Sequence, residues 1–229
     1  MPGGMLFLAA DTEPPTVQLS APVYASDRSR DRAFYLRWRG RGDIARYRLE
    51  VRPNGIVVGR WRTVAITTRT RASFTGKPGI TYVFRLRARD RTGNLSSYDY
   101  RRTSVPIDDR NPHVGRGPGW ELVRHRPAWG GTLTRARRAG LELAVPFRGT
   151  RVALIASRSP RGGTLLVSLA GRLAAVSLRG HHRHRRVVFR SRRLAPGRHV
   201  LRIRTLDRGT ADIDAIGVDK GPAPPLVRR

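Results

Sequence analysis

Three groups of residues in this sequence carry side chains able to bind or react. His181, His182 and His184 stand together in GHHRHRR. Imidazoles so close could clip a metal or form a pH-sensitive anion site. The flanking Arg183, Arg185 and Arg186 repel a metal cation, so a solvated hairpin tip is the stronger reading. Asp212 and Asp214 lie two apart, on one face of a strand if the segment is extended. Paired carboxylates suit calcium or acid–base work. Among so many arginines, ion pairing is the simpler use, and no metal site is expected beyond these two weak candidates. Trp120 and Trp129 sit in Gly- and Pro-rich surroundings. Sugars stack their C–H faces on rings, so these two are the candidate ligand-binding residues. The competing use is packing at one end of a core.

Catalytic motifs are missing. The sequence has no G-x-S-x-G elbow, no H-E-x-x-H, no Walker loop and no G-x-G-x-x-G. It has no cysteine, which removes disulfides, zinc–thiolate sites and Cys nucleophiles. The expectation is a non-enzyme that uses no cofactor.

The elements that would position these residues are strands. Phe34, Leu36 and Trp38 alternate with Tyr35, Arg37 and Arg39; Tyr47, Leu49 and Val51 alternate with Arg48, Glu50 and Arg52. Tyr82, Phe84, Leu86 and Ala88 alternate with Val83, Arg85, Arg87 and Arg89. Period two puts one set in a core and the other in water. Trp38, Tyr47, Tyr82 and Phe84 are therefore expected in the core, and the arginines on solvated faces. Turn signals such as Pro53-Asn54-Gly55, Lys77-Pro78-Gly79 and Thr92-Gly93-Asn94 separate the strands. The second half has shorter apolar runs, including 152–156, 165–169, 173–178 and 213–218, divided by Gly-containing turns. Residues 165–178, folded at Ala170-Gly171, read as a hairpin. The predicted class is all-β, two antiparallel β-sandwich domains in tandem.

The predicted organisation is an N-terminal tail or export-signal remnant at 1–11, a first sandwich at 12–108, and a linker at 109–119. A second sandwich follows at 120–220, then a disordered basic tail at 221–229. The first sandwich resembles a fibronectin type III domain. The resemblance rests on Pro14-Pro15, Trp38, Tyr47 to Val51, the run from Gly79 to Asp90, and Gly93-Asn94-Leu95-Ser96. It implies a core Trp38 and a tyrosine corner at Tyr82, whose hydroxyl bonds back to the backbone. The second is similar to galactose-binding-like, carbohydrate-binding-module-like sandwiches of actinobacterial exported proteins. Trp129 to Thr132, Phe147 to Thr150, the hairpin from Val167 to Leu178, LAPGRHVL at 194–201 and Asp212 to Val218 carry that likeness. Such hairpins often read V-x-V-D-G, and Ala170 stands in place of the Asp. The resemblance implies an extracellular or cell-surface binding protein, with a spacer module beside a candidate glycan-binding one.

Charge supplies the alternative. With 46 Lys and Arg against 16 Asp and Glu, the formal charge is +30. Lys77 and Lys220 are the two lysines, so nearly every cation is arginine. Such a bias fits a GC-rich coding sequence, yet the charge still attracts polyanions at low salt. Partners are therefore a glycan or cell-wall polymer, or, by charge alone, nucleic acid or an anionic wall polymer. An accessory part of a larger secreted hydrolase is the remaining alternative. No apolar run is long enough for a membrane-spanning helix. Oligomeric state is not legible.

Overall fold

The computed structural model describes residues 12–27, 29–54 and 60–221. The tail or signal remnant expected at 1–11, and all of the expected basic tail except Gly221, lie outside the described residues.

Seven strands form the first sandwich. β1 (Thr16–Ser20), β2 (Ala33–Arg41) and β5 (Arg71–Thr75) make one sheet, in the order β1-β2-β5. β3 (Ile44–Pro53), β4 (Arg62–Thr67), β6 (Thr81–Asp90) and β7 (Asp99–Ser104) make the other, in the order β4-β3-β6-β7. Every named pairing is antiparallel. The inner faces carry Phe34, Leu36, Trp38, Tyr47, Leu49, Phe74, Tyr82, Phe84 and Leu86, all buried. Phe34, Phe74 and Phe84 meet edge to face, and Trp38 meets Tyr47 the same way at 5.7 Å. This is the favoured geometry for aromatic quadrupoles. The Tyr82 hydroxyl accepts the Lys77 backbone N–H at 3.0 Å, tying the turn before β6 to the core.

The second sandwich also has two antiparallel sheets. β10 (Glu121–Arg124), β11 (Thr132–Ala136), β13 (Arg151–Arg158), β16 (Arg183–Arg190) and β18 (Ala211–Asp219) run in the order β10-β11-β18-β13-β16. The short β8 (Ile107–Asp108) also pairs with β18. β9 (Gly115–Arg116), β12 (Glu142–Gly149), β14 (Thr164–Leu169), β15 (Arg172–Ser177) and β17 (Gly197–Thr205) run in the order β15-β14-β17-β12-β9.

The stretch expected as a linker is part of this sandwich. β9 pairs with β12, and Asp109 is buried, accepting hydrogen bonds from the Thr132 hydroxyl at 2.7 Å and the Thr134 hydroxyl at 3.2 Å. Its Pro and Gly residues shape turns between short strands rather than a free tether.

The two sandwiches share a core. Residues 152–156 of β13 and 213–218 of β18 are buried without alternation. Val152, Leu154, Ile216 and Val218 face the second core, while Ala153, Ile155, Ala215 and Trp129 join the first. A continuous apolar run is the pattern of a strand covered on both faces. Close approach is enforced at Gly217, where an added Cβ would run into the Tyr24 ring. Polar contacts cross the same seam. The Thr81 hydroxyl donates to the Val218 carbonyl at 3.1 Å, and the Gly130 N–H to the Arg30 carbonyl at 2.7 Å. The Arg185 guanidinium donates to the Ser29 carbonyl, and Asn54 and Arg102 both donate to the Gly221 carbonyl.

Candidate functional site

β2 presents Tyr35, Arg37 and Arg39 outward because their neighbours fill the core. Register places Arg37 directly across from Arg71 on β5 and from Ser20 on β1, and Arg39 across from Gln18. Like charges directly opposite on a sheet repel. No described ion pair uses Arg37, Arg39, Arg69 or Arg71. These four, with Arg101 of β7, line a groove of about 980 Å³ whose walls include Gln18, Ser20 and Thr70. Arg101 is already engaged, donating to Asp99 at 2.7 Å. Tyr35 lies on the same face, 56% exposed, with the Arg71 guanidinium 5.9 Å from its ring centre. The groove thus offers unpaired guanidinium groups and hydroxyl and amide side chains beside an open aromatic ring.

The opposite sheet handles its arginines differently. Glu50, 3% exposed, pairs with Arg85 at 2.7 Å and Arg48 at 3.1 Å. The Trp61 ring meets the guanidinium groups of Arg52 at 4.7 Å and Arg85 at 4.2 Å, and the Tyr98 ring those of Arg85 at 4.3 Å and Arg87 at 5.0 Å. Burial alone would raise the Glu50 carboxyl, but the Arg85 hydrogen bond and the Arg85 and Arg48 charges bring it below the usual range.

The structure places both candidate tryptophans inside. Trp129 is 1% exposed and Trp120 8% exposed. Trp120 packs in the second core and Trp129 in the shared one. A sugar platform needs an open ring face, and neither has one. Their Gly and Pro neighbours make the tight turns that let each ring fold inward. Gly130, for instance, takes φ +68, and an added Cβ there would strike the Asp108 carboxylate.

Asp212 and Asp214 part ways. Asp212 accepts two hydrogen bonds from Arg135, at 2.6 and 2.8 Å, a bidentate pair. Asp214 is the extra residue of a bulge, since Ile155 faces Ala215 and Ala156 faces Ile213. It is fully buried. One oxygen accepts the Trp129 backbone N–H at 2.8 Å, and the other has no partner. Burial pushes its carboxyl up to about 8, and the nearby Asp109 adds to the rise. Asp109 is itself pushed up to about 6, chiefly by burial.

The histidines also divide. His181 and His182 are exposed, while His184 turns inward to His125, their rings 4.6 Å apart and Nδ1 of His184 3.2 Å from Nε2 of His125. The Ser157 hydroxyl meets the same Nδ1 at 3.2 Å. Burial lowers the His184 pKa, and repulsion from His125, His182 and Arg185 lowers it further. Among the described residues no group of three or more His, Cys, Asp or Glu side chains is arranged to hold a metal.

Sequence reasoning had placed Tyr35 only as one member of a wet face. The signal that singles it out is simple: it is the aromatic among the arginines on the outward side of β2.

No family model matches the chain, and no curated protein matches its sequence. Solved structures of partial likeness include the family two carbohydrate esterase from Cellvibrio japonicus, at 15% identity and TM-score 0.39 over 54% of this chain. The match spans 36% of that esterase chain. CBM35 from Cellvibrio japonicus Abf62 matches at 14% identity and TM-score 0.40, over 51% of this chain and 94% of that one. The alpha-L-rhamnosidase from Dictyoglumus thermophilum matches at 9% identity and TM-score 0.44, over 93% of this chain and 29% of that one. With TM-scores this low, none of these likenesses bears on function. Among the described residues no helix is long and apolar enough to cross a membrane.

Proposed function

We propose that this chain is a non-catalytic, extracellular or cell-surface binding protein for an acidic polysaccharide, held in the arginine-lined groove of its first sandwich. The observation that carries the reading is the set Arg37, Arg39, Arg69 and Arg71, unpaired in any described ion pair and gathered around one groove beside the exposed Tyr35. A uronic-acid polymer offers a carboxylate for each guanidinium and a C–H face for the ring. The first sandwich is of the fibronectin type III kind. In support stand the three-plus-four strand division and the Tyr82 hydroxyl bonded back to Lys77. The second acts as a body fused to it through the shared core.

The test is retention on immobilised polygalacturonate, neutral xylan and single-stranded DNA at low salt and at about 0.3 M salt. Polygalacturonate should hold the protein at the higher salt, and Tyr35→Ala should weaken that retention about tenfold. Neutral xylan should not retain it. Stronger retention on DNA than on polygalacturonate at the higher salt would overturn the reading in favour of nucleic acid.

A further inference from the structure

The second sandwich has a mouth of its own, unrelated to the arginine groove. β15 is an edge strand of one sheet and β16 an edge strand of the other, so the sandwich is open between them. A cavity of about 520 Å³ lies there, closed at one end by residues 191–194 after β16. That volume is ordinary for a small-molecule cleft. Its floor is apolar: Val167 and Leu169 belong to the core, and Phe189 and Leu194 pack against it. Leu173 rises beside this floor at 68% exposure.

The lips are cationic. Arg172, Arg190, Arg192 and Arg193 line the opening and are exposed. Arg190 leans toward the Tyr24 ring at 5.8 Å, and none of the four takes part in a described ion pair. At the mouth, Ala170 and Gly171 form the two-residue tip of the β14–β15 hairpin, with φ of 49 and 74, both positive as such tight turns favour.

We infer that this mouth binds a monomeric long-chain carboxylate. The chain lies along Leu169, Leu173, Phe189 and Leu194, and the head group is held by Arg172, Arg192 and Arg193. An apolar floor alone would suit any neutral chain, and cationic lips alone any anion; the two together select an anionic amphiphile. A second copy of this protein is a poor occupant, because it would bring one set of arginine lips against another on chains that each carry +30.

Calorimetric titration of the full chain with octanoate, decanoate and dodecanoate, kept below micelle formation at about 0.3 M salt, tests the site. Affinity should rise roughly fourfold per added methylene. Decyl maltoside should bind at least about tenfold more weakly than decanoate. Leu173→Ser, at an exposed position, should weaken decanoate about tenfold, and Arg192→Ser with Arg193→Ser should do the same. Both variants should keep their retention on polygalacturonate, which separates this site from the groove. Affinity independent of chain length, or equal binding of the maltoside, would overturn the inference. So would a dimer that Leu173→Ser dissolves, or binding to phosphatidylglycerol vesicles without binding to decanoate.

Discussion

The two outer faces of the first sandwich both carry arginines and put them to different ends. On the face of β3 and β6, Arg48 and Arg85 share the buried Glu50, and Arg52, Arg85 and Arg87 stack against Trp61 and Tyr98. The Trp61 and Tyr98 rings on this face therefore each already carry guanidinium contacts. On the face of β2 and β5, Arg37 stands across from Arg71 with no carboxylate in the described ion pairs, and Tyr35 is 56% exposed with one guanidinium, that of Arg71, 5.9 Å from its ring centre. Charge on the first face is spent on internal cohesion. On the second it is held in readiness at some cost in repulsion. Net charge therefore says little about where a polyanion docks, and the local supply of carboxylates and rings says more.

The largest effect should come from stripping the first face of its carboxylate. Glu50→Ala leaves Arg85 and the part-exposed Arg48 without the buried carboxylate they share, and should cost about 3 kcal/mol in denaturant unfolding. A loss below about 0.5 kcal/mol would mean that the rings alone neutralise that face.

Two buried carboxylates give opposite pH dependence. Glu50 lies below its usual range when folded, so its contribution is present at neutral pH and is lost on acidification through the folded value. Asp214 is pushed up to about 8, so the folded protein holds a proton that the unfolded chain releases near pH 4. Its contribution is full below about pH 4 and falls as pH rises toward 8, since there the unfolded state binds fewer protons than the folded one. Asp214→Asn keeps the acceptor for the Trp129 N–H and removes the charge. It should raise stability by about 1–3 kcal/mol near pH 8.5, with little effect near pH 4. A variant whose stability tracks wild type at every pH would place the ionisation elsewhere.

The smallest effect belongs to the open face. Arg37→Ser with Arg71→Ser should leave stability within about 0.5 kcal/mol of wild type, on the favourable side, because a repulsive cross-strand pair is lost.

Both sandwiches were legible in the sequence because their signals are local: Phe34, Leu36 and Trp38 against Tyr35, Arg37 and Arg39 describe β2 before any partner is known, and apolar runs broken at Gly-containing turns mark the strands of the second half. The docking of one sandwich on the other was not. A run such as 213–218 announces burial on both faces but does not say what covers the second, and the answer is Tyr24, some two hundred residues away. Asp109 looked like linker for the same reason, since Thr132 and Thr134, which bury it, lie more than twenty residues on. Trp120 and Trp129 stand among turn residues that suggest a surface, and only tertiary packing turns their rings inward. The groove was not legible. Arg37 and Arg39 read only as part of a solvated face, and the pairing of Arg37 with Arg71, and the lack of a described carboxylate partner for either, depends on register.

One measurement bears most directly on the division between the two faces: the change in Tm on adding polygalacturonate. A ligand that binds only the folded state stabilises it by RT ln(1 + [L]/Kd) and so raises Tm. Wild type should rise by several degrees at saturating polymer, on the order of 2–3 kcal/mol of linkage. Arg37→Ser with Arg71→Ser should lose most of that rise, while Arg172→Ser with Arg192→Ser, which removes the same charge from the second sandwich, should keep it. Equal shifts in all three proteins would contradict the account, because binding would then follow total charge and not the groove.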